Sequence, residues 1–227
     1  MRLIRPTQEI VNTFNSFWTP NPITTELALF DDELKIDVRE YIKQFKGFEA
    51  LDEKIQQKQE IEEFFKAIND SYHTRVLGGV SEIAKKLASV GINNKSDLSK
   101  EVEEGSITLP KFVRICKEAT GNYTYSFATK VFSFIDHEYP IVDSFVVTVL
   151  GTYEYNGKIP KSKWGDYSEY VKNYKAFKEY FGLKNLSCKR IDKFLWTYGK
   201  ILDDYWTDIG VLRFDSISFD TKSLQTI

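Results

Sequence analysis

The chain has 227 residues, 42% of them hydrophobic and 15% aromatic, which excludes a disordered polymer and suffices for a sizeable core. A formal net charge of −2 gives no whole-chain bias toward nucleic acid, and two cysteines, Cys116 and Cys188, are too few for a disulfide framework or a zinc site. The opening MRLIRPTQEI lacks the apolar core of a signal peptide and no stretch reaches membrane-spanning length, so a soluble cytoplasmic protein without metal or cofactor is expected.

Residues 1–25 hold three of the six prolines, Pro6, Pro20 and Pro22, and read as an irregular lead-in with one short helix. From Thr25 to about Asn69 the spacing predicts helix, first through Leu34, Val38, Ile42 and Phe45, then through Ile55, Ile61, Phe64, Phe65 and Ile68. Gly78-Gly79 marks a break, and VSEIAKKLASV predicts an amphipathic helix closed by Gly91. Ser96 is a candidate cap in NNKSDLSKEVEEG, and Pro110 suits the first turn of a helix over KFVRICKEA. FVVTVL, at 145–150, favours a strand by propensity alone. GTYEYNGKIPKSKWGD reads as loop, YSEYVKNYKAFKEYFG as a helix ending at Gly182, and LSCKRIDKFLWTYGKILDDYW as a second helix, with Trp196 on its apolar face. After Gly210 the chain alternates only weakly. The class expected is mainly α.

Charge is unevenly placed. Eleven Asp/Glu against six Lys/Arg give residues 31–63 a local −5, and ten Lys/Arg against four Asp/Glu give residues 158–193 a local +6. Such blocks either solvate two helical faces or set one face toward a polyanion.

The stretch SFATKVFSFIDHEYPIVDSFV, residues 126–146, places Lys130 and Asp143 thirteen positions apart. Read as a helix, 126–135 gathers Phe127, Val131, Phe134 and Ile135 on one face, with Lys130 beside it. A lysine there either snorkels to water or is dehydrated against aromatics, which favours the free amine. Pro140 holds Tyr139 extended, and Asp143 opens an apolar segment as a helix N-cap; the same carboxylate, facing a cleft, can stabilise positive charge on a ligand.

Taken together these residues resemble the helix-hairpin-helix DNA glycosylase superfamily, in its 8-oxoguanine glycosylase and endonuclease III branches. There a hairpin of the form glycine, x, glycine, x, lysine precedes a Gly/Pro-rich loop and an aspartate. Here the run is Ser126, Phe127, Ala128, Thr129, Lys130, with small residues at both glycine positions, followed by Pro140, Ile141, Val142, Asp143, Ser144, Phe145, Val146. The match covers roughly 108–150, with a shorter lysine-to-aspartate interval than those branches have. DKFLWTYGK, at 192–200, looks like a C-terminal motif of uncharacterised bacterial proteins grouped near this superfamily.

The resemblance implies two helical lobes with the active site in the cleft between them: residues 26–135 as the middle lobe, and 1–25 with 136–227 as the other. It implies a monomer acting on double-stranded DNA with a modified or damaged base, in repair or in phage defence, with Lys130 and Asp143 catalytic and the nucleophile either the Lys130 amine, through a Schiff base with strand cleavage, or water without it. Phe134, His137, Tyr123 and Tyr125 become candidates for a base pocket or wedge. Ser126, Ala128, Lys158, Lys161, Lys163, Lys172 and Lys175 become candidates for contact with the DNA backbone, while Phe134 better suits a core and His137 or His73 a surface. The family's iron–sulfur version is excluded, because it needs four clustered cysteines. The other reading is a non-catalytic helical module of the same fold that binds nucleic acid or protein.

Overall fold

The computed structural model describes residues 5–16, 30–31, 36–37, 51–72, 74, 76, 78–153 and 167–208. It is mainly helical, with ten helices and one two-residue β ladder among the described residues. No described helix is long and apolar enough to cross a membrane. The chain groups into two compact units, residues 51–142 and residues 1–50 with 143–227.

The unit of residues 51–142 holds α1 (Leu51–Gln57), α2 (Ile61–Tyr72), α3 (Gly79–Ala88), α4 (Lys95–Glu103), α5 (Leu109–Thr120) and α6 (Tyr125–Ile135). Its core joins aliphatic side chains to a cluster of aromatic rings. Phe65 of α2 meets Phe112 of α5 and Phe127 of α6 edge-on, with ring centroids 5.8 and 5.4 Å apart, an arrangement aromatic quadrupoles favour. The cap of α4 is Asn94 rather than the expected Ser96. Asn94 Oδ1 accepts from the Asp97 N–H at 2.9 Å, and Asp97 Oδ2 accepts from the Asn94 N–H at 3.2 Å. That reciprocal pair satisfies two otherwise orphaned donors, which a serine two residues further on cannot do. Thr108 caps α5, Pro110 lies in its first turn as expected, and Gly121 ends it at φ 77°, a left-handed conformation that glycine adopts without strain.

Cys116 is fully buried in α5, and burial pushes its thiol up to about 12. Ellman's reagent is therefore expected to leave Cys116 unmodified in the native protein and to titrate it after denaturation. Rapid labelling of the Cys116 peptide under native conditions, read by mass spectrometry, would contradict that packing.

The other unit holds α7 (Gln8–Ser16), the antiparallel pair β1 (Phe30–Asp31) and β2 (Ile36–Asp37), α8 (Ser144–Thr152), α9 (Tyr167–Tyr180) and α10 (Cys188–Asp208). The expected helix over 25–69 is thus interrupted: Phe30 pairs with Asp37 and Asp31 with Ile36. An aromatic and a β-branched residue suit a ladder, and aspartate is a poor helix former. Leu34, Val38, Ile42 and Phe45 lie outside the described residues. The lead-in helix packs on α10, with the Phe14 ring 5.0 Å from that of Phe194 and 6.2 Å from that of Tyr198. FVVTVL is helical, against its strand propensity. Its Val146, Val147, Val149 and Leu150 are all buried, and burial on several sides outweighs a propensity difference of about 1 kcal/mol.

Candidate functional site

Lys130 is the most informative side chain of the 51–142 unit. Residues 127–134 of α6 are buried without exception, and Lys130 among them is only 1% exposed. Its Nζ donates to Ser126 Oγ one turn earlier at 2.7 Å and stands 5.5 Å from the centroid of the Tyr72 ring. The i,i+4 spacing puts the serine and the lysine on one helix face. The neighbouring Thr129 hydroxyl donates to Tyr125 O at 3.0 Å and accepts the Val142 N–H at 3.0 Å, tying the end of the 136–142 loop to α6. The loop is further fixed by the Glu138 N–H on Asp136 Oδ1 at 2.9 Å and by Tyr139 packed edge-on against Phe132 at 5.1 Å.

Ser126 also lines a cavity of about 420 Å³ between Thr74, Val76, Thr120 and the 122–127 turn. That volume lies within the range of small-molecule sites. Tyr123 and Tyr125 share its wall. The Tyr123 hydroxyl accepts from Lys117 Nζ at 2.6 Å, and the same ammonium stands 4.1 Å from the ring centroid. His137 is exposed and borders a second depression with Val102, Glu103, Ile135, Asp136 and Tyr139, where burial and then the Asp136 charge push the Tyr139 phenol up.

Other expected site residues are placed elsewhere. Phe134 is 4% exposed and packs edge-on against Phe64 and Tyr72, each at 6.2 Å, so it is a core ring and not a wedge. Ala128 is fully buried and its N–H donates to Thr124 O at 2.9 Å, which leaves it no group for a DNA phosphate. Lys172 and Lys175 are exposed on α9. Lys158, Lys161, Lys163 and His73 lie outside the described residues.

In its own unit Asp143 caps α8 as expected, its Oδ1 accepting the Phe145 N–H at 3.0 Å. Near it lies a buried polar group that the sequence reading missed. The Tyr174 hydroxyl donates to Asp192 Oδ1 at 2.7 Å, and that aspartate is 2% exposed. Tyr170 is fully buried one turn before Tyr174, and burial followed by the Asp192 charge holds its phenol well above the ordinary range. Asp143 acts on that phenol in the same direction. The available signal was an acid, Asp192, at a core register of an otherwise apolar helix face, together with two tyrosines spaced by four.

DKFLWTYGK carries Asp192 and also holds α8. Trp196 meets Phe145 edge-on at 5.9 Å. A Cβ at Gly199 would stand 2.9 Å from Phe145 Cβ and Val149 Cγ2, and 3.0 Å from Phe145 O. Backbone cannot give way as a side-chain tip can. Gly199→Ala is therefore expected to destabilise by about 1–3 kcal/mol, more than alanine's gain in helix propensity of about 1 kcal/mol. A thermal melt checks this, and an unchanged midpoint would deny the close approach.

Compared with protein-family models, with curated proteins and with solved structures, the chain matches none.

Proposed function

We propose that the protein is a DNA glycosylase of the helix-hairpin-helix type, a monomer that excises a modified or damaged base from double-stranded DNA, with abasic-site lyase activity through Lys130. What carries the reading is the state of Lys130: an amine 1% exposed, within the one stretch of sequence that resembles the family's lysine-loop-aspartate motif. Burying a lysine among aromatic rings carries a desolvation cost, and groups held at such cost are concentrated at functional sites. In this reading the fold comprises two helical lobes and a cleft, the middle lobe presenting Lys130 and the other presenting Asp143.

The chemistry follows. The target nucleotide leaves the stack, and its glycosidic bond breaks through a state with positive charge on the sugar. The Asp143 carboxylate stabilises that charge, where a fixed anion is worth more than in water. Lys130 Nζ attacks C1′, giving a Schiff base from which the strand is cut by elimination. Tyr123 and Tyr125, both half-buried on one cavity wall, are the aromatic surfaces for base contact. Lys172 and Lys175 supply exposed charge for phosphates.

The test is to incubate the protein with abasic-site duplex and borohydride, and to screen duplexes with modified bases for excision. A covalent adduct that disappears in Lys130→Gln supports the lyase step. No adduct and no excision from the wild type would replace this reading by a binding module of the same fold.

A further inference from the structure

Ser126 belongs to two environments at once. Its Oγ receives an N–H of the buried Lys130 amine at 2.7 Å, and the residue is half-buried on the wall of the 420 Å³ cavity. It stands where the resembled motif has a glycine, a residue with no side chain to offer the lysine. The hydroxyl is therefore an addition of this chain. An amine that gives one N–H to a fixed acceptor cannot spin freely about its terminal bond. Its lone pair, when the amine is neutral, is held in a fixed direction. A nucleophile so held starts closer to the geometry of attack.

We infer that Ser126 is a positioning residue for the Lys130 amine, and that its hydroxyl carries off the hydrogen the amine sheds on bonding to C1′. This rests on the glycosylase reading above. The Nζ lone pair forms the N–C1′ bond, and the C1′–base bond breaks with its electron pair leaving on the base. The nitrogen, now bearing positive charge, passes one proton to Ser126 Oγ, while the serine's own hydrogen passes to solvent on the cavity side. The departing base takes one proton from solvent. One proton is lost by the amine and one gained by the base, with no oxidation or reduction.

On α6 the Lys130 amine donates to Ser126 Oγ at 2.7 Å, and Thr129 Oγ1 donates to Tyr125 O at 3.0 Å. Two hydroxyls of the same helix thus have different partners. Thr129 holds the loop that leads to Asp143, and Ser126 holds the amine.

The experiment compares wild type, Ser126→Ala, Ser126→Thr and Lys130→Gln. Single-turnover borohydride trapping is timed on a duplex with one preformed abasic site. Affinity is measured separately on a duplex carrying a tetrahydrofuran analogue, which cannot form a Schiff base. Ser126→Ala is expected to trap about 10- to 100-fold more slowly, a loss larger than any accompanying loss of affinity for the analogue, and Ser126→Thr to regain most of the rate. Trapping by Ser126→Ala at the wild-type rate, with Lys130→Gln inert, overturns the inference while the lyase reading stands. Parallel loss of affinity and melting temperature in both serine variants also overturns it, by assigning Ser126 to structure. A wild type that forms no adduct removes the lyase reading and this inference with it.

Discussion

Lys130→Met is expected to abolish the borohydride adduct while leaving the melting midpoint within a few degrees of wild type. Loss of the adduct without loss of the fold is the diagnostic combination. The lysine is 1% exposed, between Phe127, Val131 and Phe134 in sequence and below the Tyr72 ring in space. Methionine has a similar unbranched volume, carries no charge and tolerates irregular surroundings, so the packing can be kept. The variant avoids the cost of burying an amine but also breaks its bond to Ser126, so the net change in stability is expected to stay within about 1–2 kcal/mol. For a chain of this size that is a few degrees in the melting midpoint, since about 1 kcal/mol moves it by about 2–4 °C. The Ser126 hydroxyl loses a partner in the variant, but the residue is half-buried on the cavity wall, where water can take the amine's place. No nucleophile remains at the position, so no Schiff base can form. A methionine variant that melts well below wild type would mean that the lysine is structural, and the catalytic reading would lose its main support. The measurement needs only a thermal melt and a trapping gel on the same preparation.

Which parts of this were legible in the sequence follows from the range of the interactions concerned. Helices set by their own periodicity and punctuation were readable. Gly91 and Gly182 follow helix ends near the places expected, Pro110 sits in a first turn, and Asp143 caps α8 because an aspartate before FVVTVL has a backbone N–H within reach. Features decided by partners far along the chain were not readable. FVVTVL becomes helix because α10 lies against it, with Gly199 permitting the approach. Asn94 wins the cap from Ser96 because its side chain and that of Asp97 satisfy each other's N–H, a choice between neighbours that the spacing leaves open. The lysine shows the same limit at the candidate site. Its place beside an aromatic face follows from α6 alone, whereas its approach to the ring of Tyr72, fifty-eight residues earlier, is marked by no local pattern. The buried group of Tyr170, Tyr174 and Asp192 is likewise assembled from two helices, α9 and α10.

Asp143→Asn separates the structural and chemical roles of the carboxylate. Asparagine caps a helix about as well as aspartate, and its amide oxygen can accept the Phe145 N–H in the same way. Loss of the charge from a helix N-terminus costs about 0.3–1 kcal/mol at a surface, so the melting midpoint should change little. Excision is another matter. If the carboxylate faces a sugar on which positive charge develops, the neutral amide no longer stabilises that charge. Single-turnover excision of the modified duplex that wild type processes fastest is then expected to fall by about 10²–10³-fold. Asp143→Ala provides the contrast, because it loses the cap as well and should drop the stability by about 1 kcal/mol more. The charge role predicts that Asn and Ala are equally poor catalysts despite different stabilities. The capping role predicts that activity follows stability, with Asn near wild type and Ala impaired. Activity of Asp143→Asn equal to wild type would leave Asp143 with its cap alone, and the excision step would have to find its anion elsewhere.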